Sequence, residues 1–125
     1  MNRCAQNLVK HVKHALKAFK YSGVGLFDTF KHETAFQQET AALILLPVLA
    51  KILGASSGSL LLIIGAWLVV MLAETLNSAI ENLCNLVSPE YHILVKRAKD
   101  AASASVLLAI LGNICLWIYL AALAT

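Results

Sequence analysis

The stretch LLLIIGAWLVVMLAETLNSAIENL, residues 60–83, decides the fold. Residues 60–72 carry no charge, and with 73–79 they reach the roughly 20 residues that cross ~30 Å of hydrocarbon. Yet the same stretch ends in a polar stripe. On a helix Glu74 and Glu81 stand seven residues apart, about two turns, so they share a face, and Asn77, Ser78 and Asn85 lie on or beside it. A carboxylate near the centre of a spanning helix costs about 2.5 to 3.5 kcal/mol on insertion scales, so an acid in such a place needs a reason. The plainer alternative is that this end has left the bilayer and the stripe is a solvated face.

Two further segments are apolar enough to join it. Residues 101–124 are uncharged throughout. AALILLPVLA, residues 41–50, is short, but becomes long enough if its helix begins near Ala35 and ends at 51–53 with Lys51 snorkelling. With 59% hydrophobic residues and a mean hydropathy of +0.74, the chain belongs in a bilayer. The expectation is a single membrane-embedded all-α domain over residues 1–125, with spans at about 35–53, 60–80 and 101–122.

Six of the ten Lys and Arg residues precede the first span, Lys96, Arg97 and Lys99 fall between the second and third, and GASSGS (54–59) has none. The positive-inside rule therefore puts the N-terminus and residues 84–100 in the cytoplasm, and the 54–59 turn and the C-terminus outside. A net charge of +3 suits anionic headgroups and calls for no nucleic acid. In LVKHVKHALKAFK (8–20), Leu8, Val12, Ala15, Leu16 and Phe19 form a helical stripe opposite Lys10, Lys13, Lys17 and Lys20. This predicts a surface helix over 7–21, either a plain anchor or also a lid on an active site, with a bend at Gly23 and Gly25. SPEYH (88–92) reads as a helix start, with Ser88 as cap, Pro89 in the first turn and Glu90 at the positive helix end.

Other features carry less. No signal peptide is expected, since residues 1–20 lack an apolar core. Cys4, Cys84 and Cys115 have neither disulfide-framework nor zinc spacing. His11, His14 and His32 form no metal pattern, and only His92, beside Glu90, draws interest. WIY (117–119) fits an interfacial aromatic belt, while Gly112 and Asn113 suit helix packing, Asn113 needing a partner across an interface. No P-loop, GxGxxG, protein-kinase set or GxSxG elbow is present in the sequence.

If the second span ends near Ala79, Glu74 lies just under the cytoplasmic surface and Glu81 about 10 Å further out. Glu33 precedes the first span, and Lys99 with Asp100 precedes the third, so the unusual charges share one level. Three acids and a Lys there suit a divalent metal with phosphates, a spare carboxylate serving as base. A proton or cation pathway through an oligomer is the competing reading.

ETLNSAIENL and SPEYHILVKRAKDAASASVLLA, with ETAFQQE (33–39) before the first span, together resemble the small bacterial membrane diacylglycerol kinases, gap-free from about His14 to the end. The resemblance implies a homotrimer of three-helix subunits with an amphipathic surface helix, in the inner membrane, using Mg²⁺ and ATP to phosphorylate the primary hydroxyl of a membrane lipid. Carried over by position, Glu74 matches the general base, Glu33 and Glu81 the carboxylates for metal and nucleotide, and Asn77 a supporting residue. Tyr21, Glu90, Tyr91, His92, Lys99 and Asp100 match further nucleotide contacts. Ser103 and Ala35, Phe36, Gln37, Gln38 and Glu39, with Glu74, match the lipid side. His14 stands where an Arg that reaches the site is common, so that ATP contact falls either to His14 or to Lys13 or Lys17 in its place. Gly23, Phe27 and Gln37 depart from Trp and basic residues usual in the family. AFQQE and EYH with RAKD look more like the diacylglycerol branch than the related undecaprenol kinases. A small proton-coupled transporter, with Glu74 as its titrating group, is the non-enzymatic alternative.

Overall fold

The computed structural model describes residues 3–88 and 90–123, and every regular element in them is helical: α1 (Arg3–His32), α2 (Thr34–Ile52), α3 (Ser57–Val87) and α4 (Ile93–Leu123). The chain divides into two compact units, residues 1–32 and 33–125.

The first unit is α1, an unbroken helix of 30 residues. It runs straight through Gly23 and Gly25, where the sequence predicts a bend. Each glycine costs about 1 kcal/mol relative to Ala, too little to interrupt a helix whose hydrogen-bond ladder continues on both sides. Its last turns are reinforced locally: Thr29 Oγ1 donates to the Gly25 carbonyl at 3.0 Å, and His32 Nδ1 lies 3.3 Å from Asp28 Oδ1. Val12, Ala15, Leu16, Phe19 and the four lysines of the amphipathic pattern are exposed, and the Leu8 side chain lies outside the described residues.

The second unit begins at Glu33, whose extended backbone (φ −108°, ψ 110°) stands ahead of α2 without a side-chain cap. At its other end α2 closes in a Schellman motif. The Gly54 N–H donates to the Lys51 carbonyl at 3.0 Å, and the Ala55 N–H to the Ala50 carbonyl at 2.9 Å. Gly54 has φ +88°, a conformation that side chains with a Cβ resist. Ser56 then caps α3, its Oγ accepting from the Ser59 N–H at 3.1 Å.

α3 is the central element. Both α2 and α4 pack on it, and among the described residues they do not pack on each other. Its buried residues, Ile63, Val70, Glu74 and Ser78, are spaced by seven, four and four, so they form one seam along the helix. Phe36 and Ala50 of α2 and Ala102 and Asn113 of α4 are the buried groups on the flanking helices. α4 starts at Ile93, not in the SPEYH segment that reads as a helix start. Ser88 instead ends α3, and its Oγ donates to the Glu90 carbonyl at 3.1 Å. The capping role passes to His92, whose Nδ1 accepts from the Leu94 N–H at 3.2 Å. Pro89 lies outside the described residues.

α2, α3 and α4 are each long and apolar enough to cross a membrane, so this is a multi-pass membrane protein. Within their apolar windows only 17%, 17% and 6% of residues are buried, α4 being barest. Asn113 is the reverse case, a polar side chain 3% exposed whose Nδ2 has no partner. An unsatisfied buried donor costs about 1 to 3 kcal/mol, so Asn113→Leu should raise the midpoint of denaturant unfolding in detergent. Gly54→Ala should lower that midpoint, through a stability loss of about 1 to 2 kcal/mol, because Ala at φ +88° is strained where glycine is not.

Candidate active site

The site grows from the seam of α3. Glu74, 9% exposed, is buried where the apolar run of α3 gives way to its polar stripe, and one turn on Ser78 is 6% exposed. Two turns on, Glu81 stands exposed at the same helix end. The antiparallel course of α2 brings Glu33 back to this level. Glu74 feels the negative charges of Glu33 and Glu81, and Glu39, half-buried on α2, feels that of Glu74. Three carboxylates, Glu33, Glu39 and Glu81, are therefore within electrostatic reach of one buried acid. Among the described residues, no three His, Cys, Asp or Glu side chains are grouped closely enough to hold a metal ion by themselves.

The site is rich in acceptors without donors. Glu39 Oε2 and Asn77 Oδ1 are both buried and unpaired. Such atoms pay a desolvation cost until a hydroxyl, a proton or a cation meets them. The nearby cations belong to α4. Lys99 Nζ donates to Asn85 Oδ1 on α3 at 2.7 Å, and Lys96 Nζ pairs with Asp100 Oδ2 at 2.7 Å. Because Asn85 is neutral, it holds Lys99 in place while leaving the ammonium charge uncompensated.

The sequence profile described as Prokaryotic diacylglycerol kinase matches residues 20–121, most of the chain and all three spans. This chain belongs to that family. It is 41% identical over 82% of its length to the diacylglycerol kinase of Escherichia coli (strain K12), covering 84% of that protein. It is also 41% identical to the diacylglycerol kinase of Haemophilus influenzae, over 78% of this chain and 82% of the relative, and 39% identical to that of Pseudomonas aeruginosa, over 75% and 76%.

The kinase family's site residues, as matched from sequence, fall in five groups. Glu33, Glu39, Glu74, Asn77 and Glu81 come together around the α2–α3 packing. Lys99, Asp100 and Ser103 follow on the first turns of α4, Ser103 one turn beyond Lys99 and exposed. Glu90, Tyr91 and His92 form the exposed link ahead of α4, with the His92 ring engaged in capping. Tyr21 and His14 are exposed on α1, His14 sharing a recess with Val9, Lys10, Lys13 and Lys17. Of the lipid-side segment, Ala35, Gln37 and Gln38 are exposed, whereas Phe36 is 4% exposed in the α2 core face.

Two partners escape the sequence reading. Asn85 appears there only as part of the stripe, not as the holder of Lys99. Trp67 is missing altogether, yet its Nε1 donates to the Glu39 carbonyl at 2.7 Å across the α2–α3 packing. A signal did exist: a tryptophan in mid-span is far from the interfacial belts where that residue usually sits, so its N–H needs a protein acceptor.

Proposed function

We propose that this chain is a diacylglycerol kinase that transfers the γ-phosphoryl group of ATP to the primary hydroxyl of diacylglycerol, giving phosphatidic acid. The observation that carries this reading is Glu74: a carboxylate 9% exposed at membrane depth, on a helix that continues to an exposed second carboxylate, Glu81. A lipid alcohol can reach the first and a water-soluble nucleotide the second. Relatives named diacylglycerol kinase, 41% identical over most of the chain, support the same substrate.

In the step itself the lipid oxygen forms the new bond to the γ-phosphorus, the bond to the β–γ bridging oxygen breaks, and ADP leaves. An alcohol is a weak nucleophile, and Glu74 receives its proton as that bond forms. Asn77, one turn along the same helix, supports the base. Lys99, held by Asn85 with its charge unneutralised, offsets charge on the phosphates. The donor chemistry fits Mg²⁺, which takes hard oxygen ligands and commonly binds through one or two carboxylates plus substrate phosphates, here Glu33 and Glu81. When bound, the ion supplies charge neutralisation at the transferring group. Glu90, Tyr91 and His92, with Asp100, Tyr21 and His14, are read as the nucleotide side, and Ser103 with the 35–39 segment as the lipid side.

The same reading places the site at the cytoplasmic face of the inner membrane, since the lysine-rich segments lie before the first span and between the second and third, where the positive-inside rule puts the cytoplasm. It also makes the protein a homotrimer. The 6% burial within the α4 window leaves that helix short of protein contacts for a bundle carrying a polar seam, and neighbouring copies would supply them.

Purified protein in detergent, given MgATP with diacylglycerol or with undecaprenol, should phosphorylate diacylglycerol faster; equal or reversed turnover would sink the lipid assignment. Glu74→Gln should lower kcat by about 100-fold or more while MgATP still binds by calorimetry. Glu33→Gln and Glu81→Gln should instead raise the Mg²⁺ concentration for half-maximal rate about tenfold or more, a loss seen even for groups that only support a metal ligand.

A further inference from the structure

The bond from Trp67 Nε1 to the Glu39 carbonyl, at 2.7 Å, fixes a register. Because α2 and α3 run antiparallel through the short 53–56 turn, Glu39 opposite Trp67 puts Phe36 opposite Val70 and Glu33 opposite Ala73. Burial agrees: Phe36 is 4% and Val70 1% exposed. Side chains on a helix lean toward its N-terminus, so the Glu39 carboxyl leans toward the Glu33 end of α2, while the Glu74 carboxyl leans the opposite way along α3. The two therefore converge near the Phe36–Val70 level, and Glu39 feels the charge of Glu74 there.

That convergence is unfavourable if nothing else holds it. Glu39 Oε2 is buried without a partner, and its neighbour is another carboxyl. A small rotation or slide of α2 would relieve both. Nor can α2 resist this through its own length alone, because Pro47 has no N–H for the Leu43 carbonyl and interrupts the ladder two turns past Glu39. The half of α2 that follows Glu33 and carries Glu39 needs its own tie to α3.

We propose that Trp67 is a positioning residue, whose indole bond to the Glu39 backbone holds α2 in the register that keeps the Glu39 carboxyl facing Glu74. In this arrangement Glu39 offers the lipid headgroup an acceptor on α2 opposite the base on α3. The inference rests on the reading of Glu74 as the base beside a lipid hydroxyl.

The test is a double-mutant cycle on the full-length protein in detergent, with dioctanoylglycerol and MgATP. Cross-helix hydrogen bonds in membranes correspond to about three- to tenfold in an equilibrium constant. Trp67→Phe should therefore raise KM for dioctanoylglycerol by about that factor and leave KM for MgATP unchanged. On a Glu39→Gln background, Trp67→Phe should add no further rise, because the two act as one unit. A merely structural Trp67 gives additive effects, or equal losses toward both substrates, and either result overturns the proposal. Should Trp67→Phe fail to fold, the ¹⁵N-labelled wild type decides: the Trp67 indole proton should exchange with D₂O more slowly than that of Trp117, and equal exchange refutes the bond. Wild-type turnover of dioctanoylglycerol tests the kinase reading separately, since a chain with no such turnover fails there and not at Trp67.

Discussion

A buried carboxylate on a membrane-spanning helix is the constraint on which the rest of this structure depends. Glu74 cannot face lipid, because its insertion cost of about 2.5 to 3.5 kcal/mol would be paid for nothing. It is therefore placed on the one helix with protein on two sides. α3 receives α2 along one flank and α4 along another, and its buried seam passes through Glu74 and Ser78. The apolar members of that seam, Ile63 and Val70, provide the packing that holds the polar members at depth. A single helix thus carries both the packing and the polar side chains: one end closes on α2 through the Gly54 turn, the other carries the exposed Glu81.

Much of this was legible in the sequence because it rests on periodicity and length. The three spans follow from uncharged runs, and the shared face of Glu74 and Glu81 follows from 3.6 residues per turn. The family followed from motifs whose spacing is rigid because a helix makes it so. The elements that were misread are those where two weak local signals compete. Gly23 and Gly25 disfavour helix by about 1 kcal/mol each, but nothing nearby offers the backbone better hydrogen bonds, so α1 continues to His32. Ser88 has a capping side chain, but its backbone N–H closes α3 on the Cys84 carbonyl and its Oγ donates to the Glu90 carbonyl, so the ring of His92 serves α4.

What could not be read is pairing between helices. That Lys99 meets Asn85, 14 residues away, or that Trp67 meets Glu39, 28 away, depends on which faces α2 and α4 turn to α3. Hydropathy says little about this, since lipid and helix partners are equally apolar and small rotations cost little. Polar atoms decide the rotation instead. Each buried polar atom admits few partners, so the specific bonds fall where the spans carry polar groups: Trp67 to Glu39 in mid-span and Lys99 to Asn85 beyond Glu81.

This bears on why the site is built from helices at all. Phosphoryl transfer asks for positioning and charge more than for covalent help. Loops can position groups in water, but within a bilayer irregular backbone leaves amides and carbonyls unsatisfied. Helices satisfy their own backbone and leave side-chain register as the variable to be set. Register between antiparallel helices is set by a few directional contacts, so a single indole-to-carbonyl bond can matter to catalysis from a residue that touches no reactant. A lipid kinase of this size has no separate scaffold beneath its active site: the contacts that hold α2 and α4 on α3 are also those that align the carboxylates.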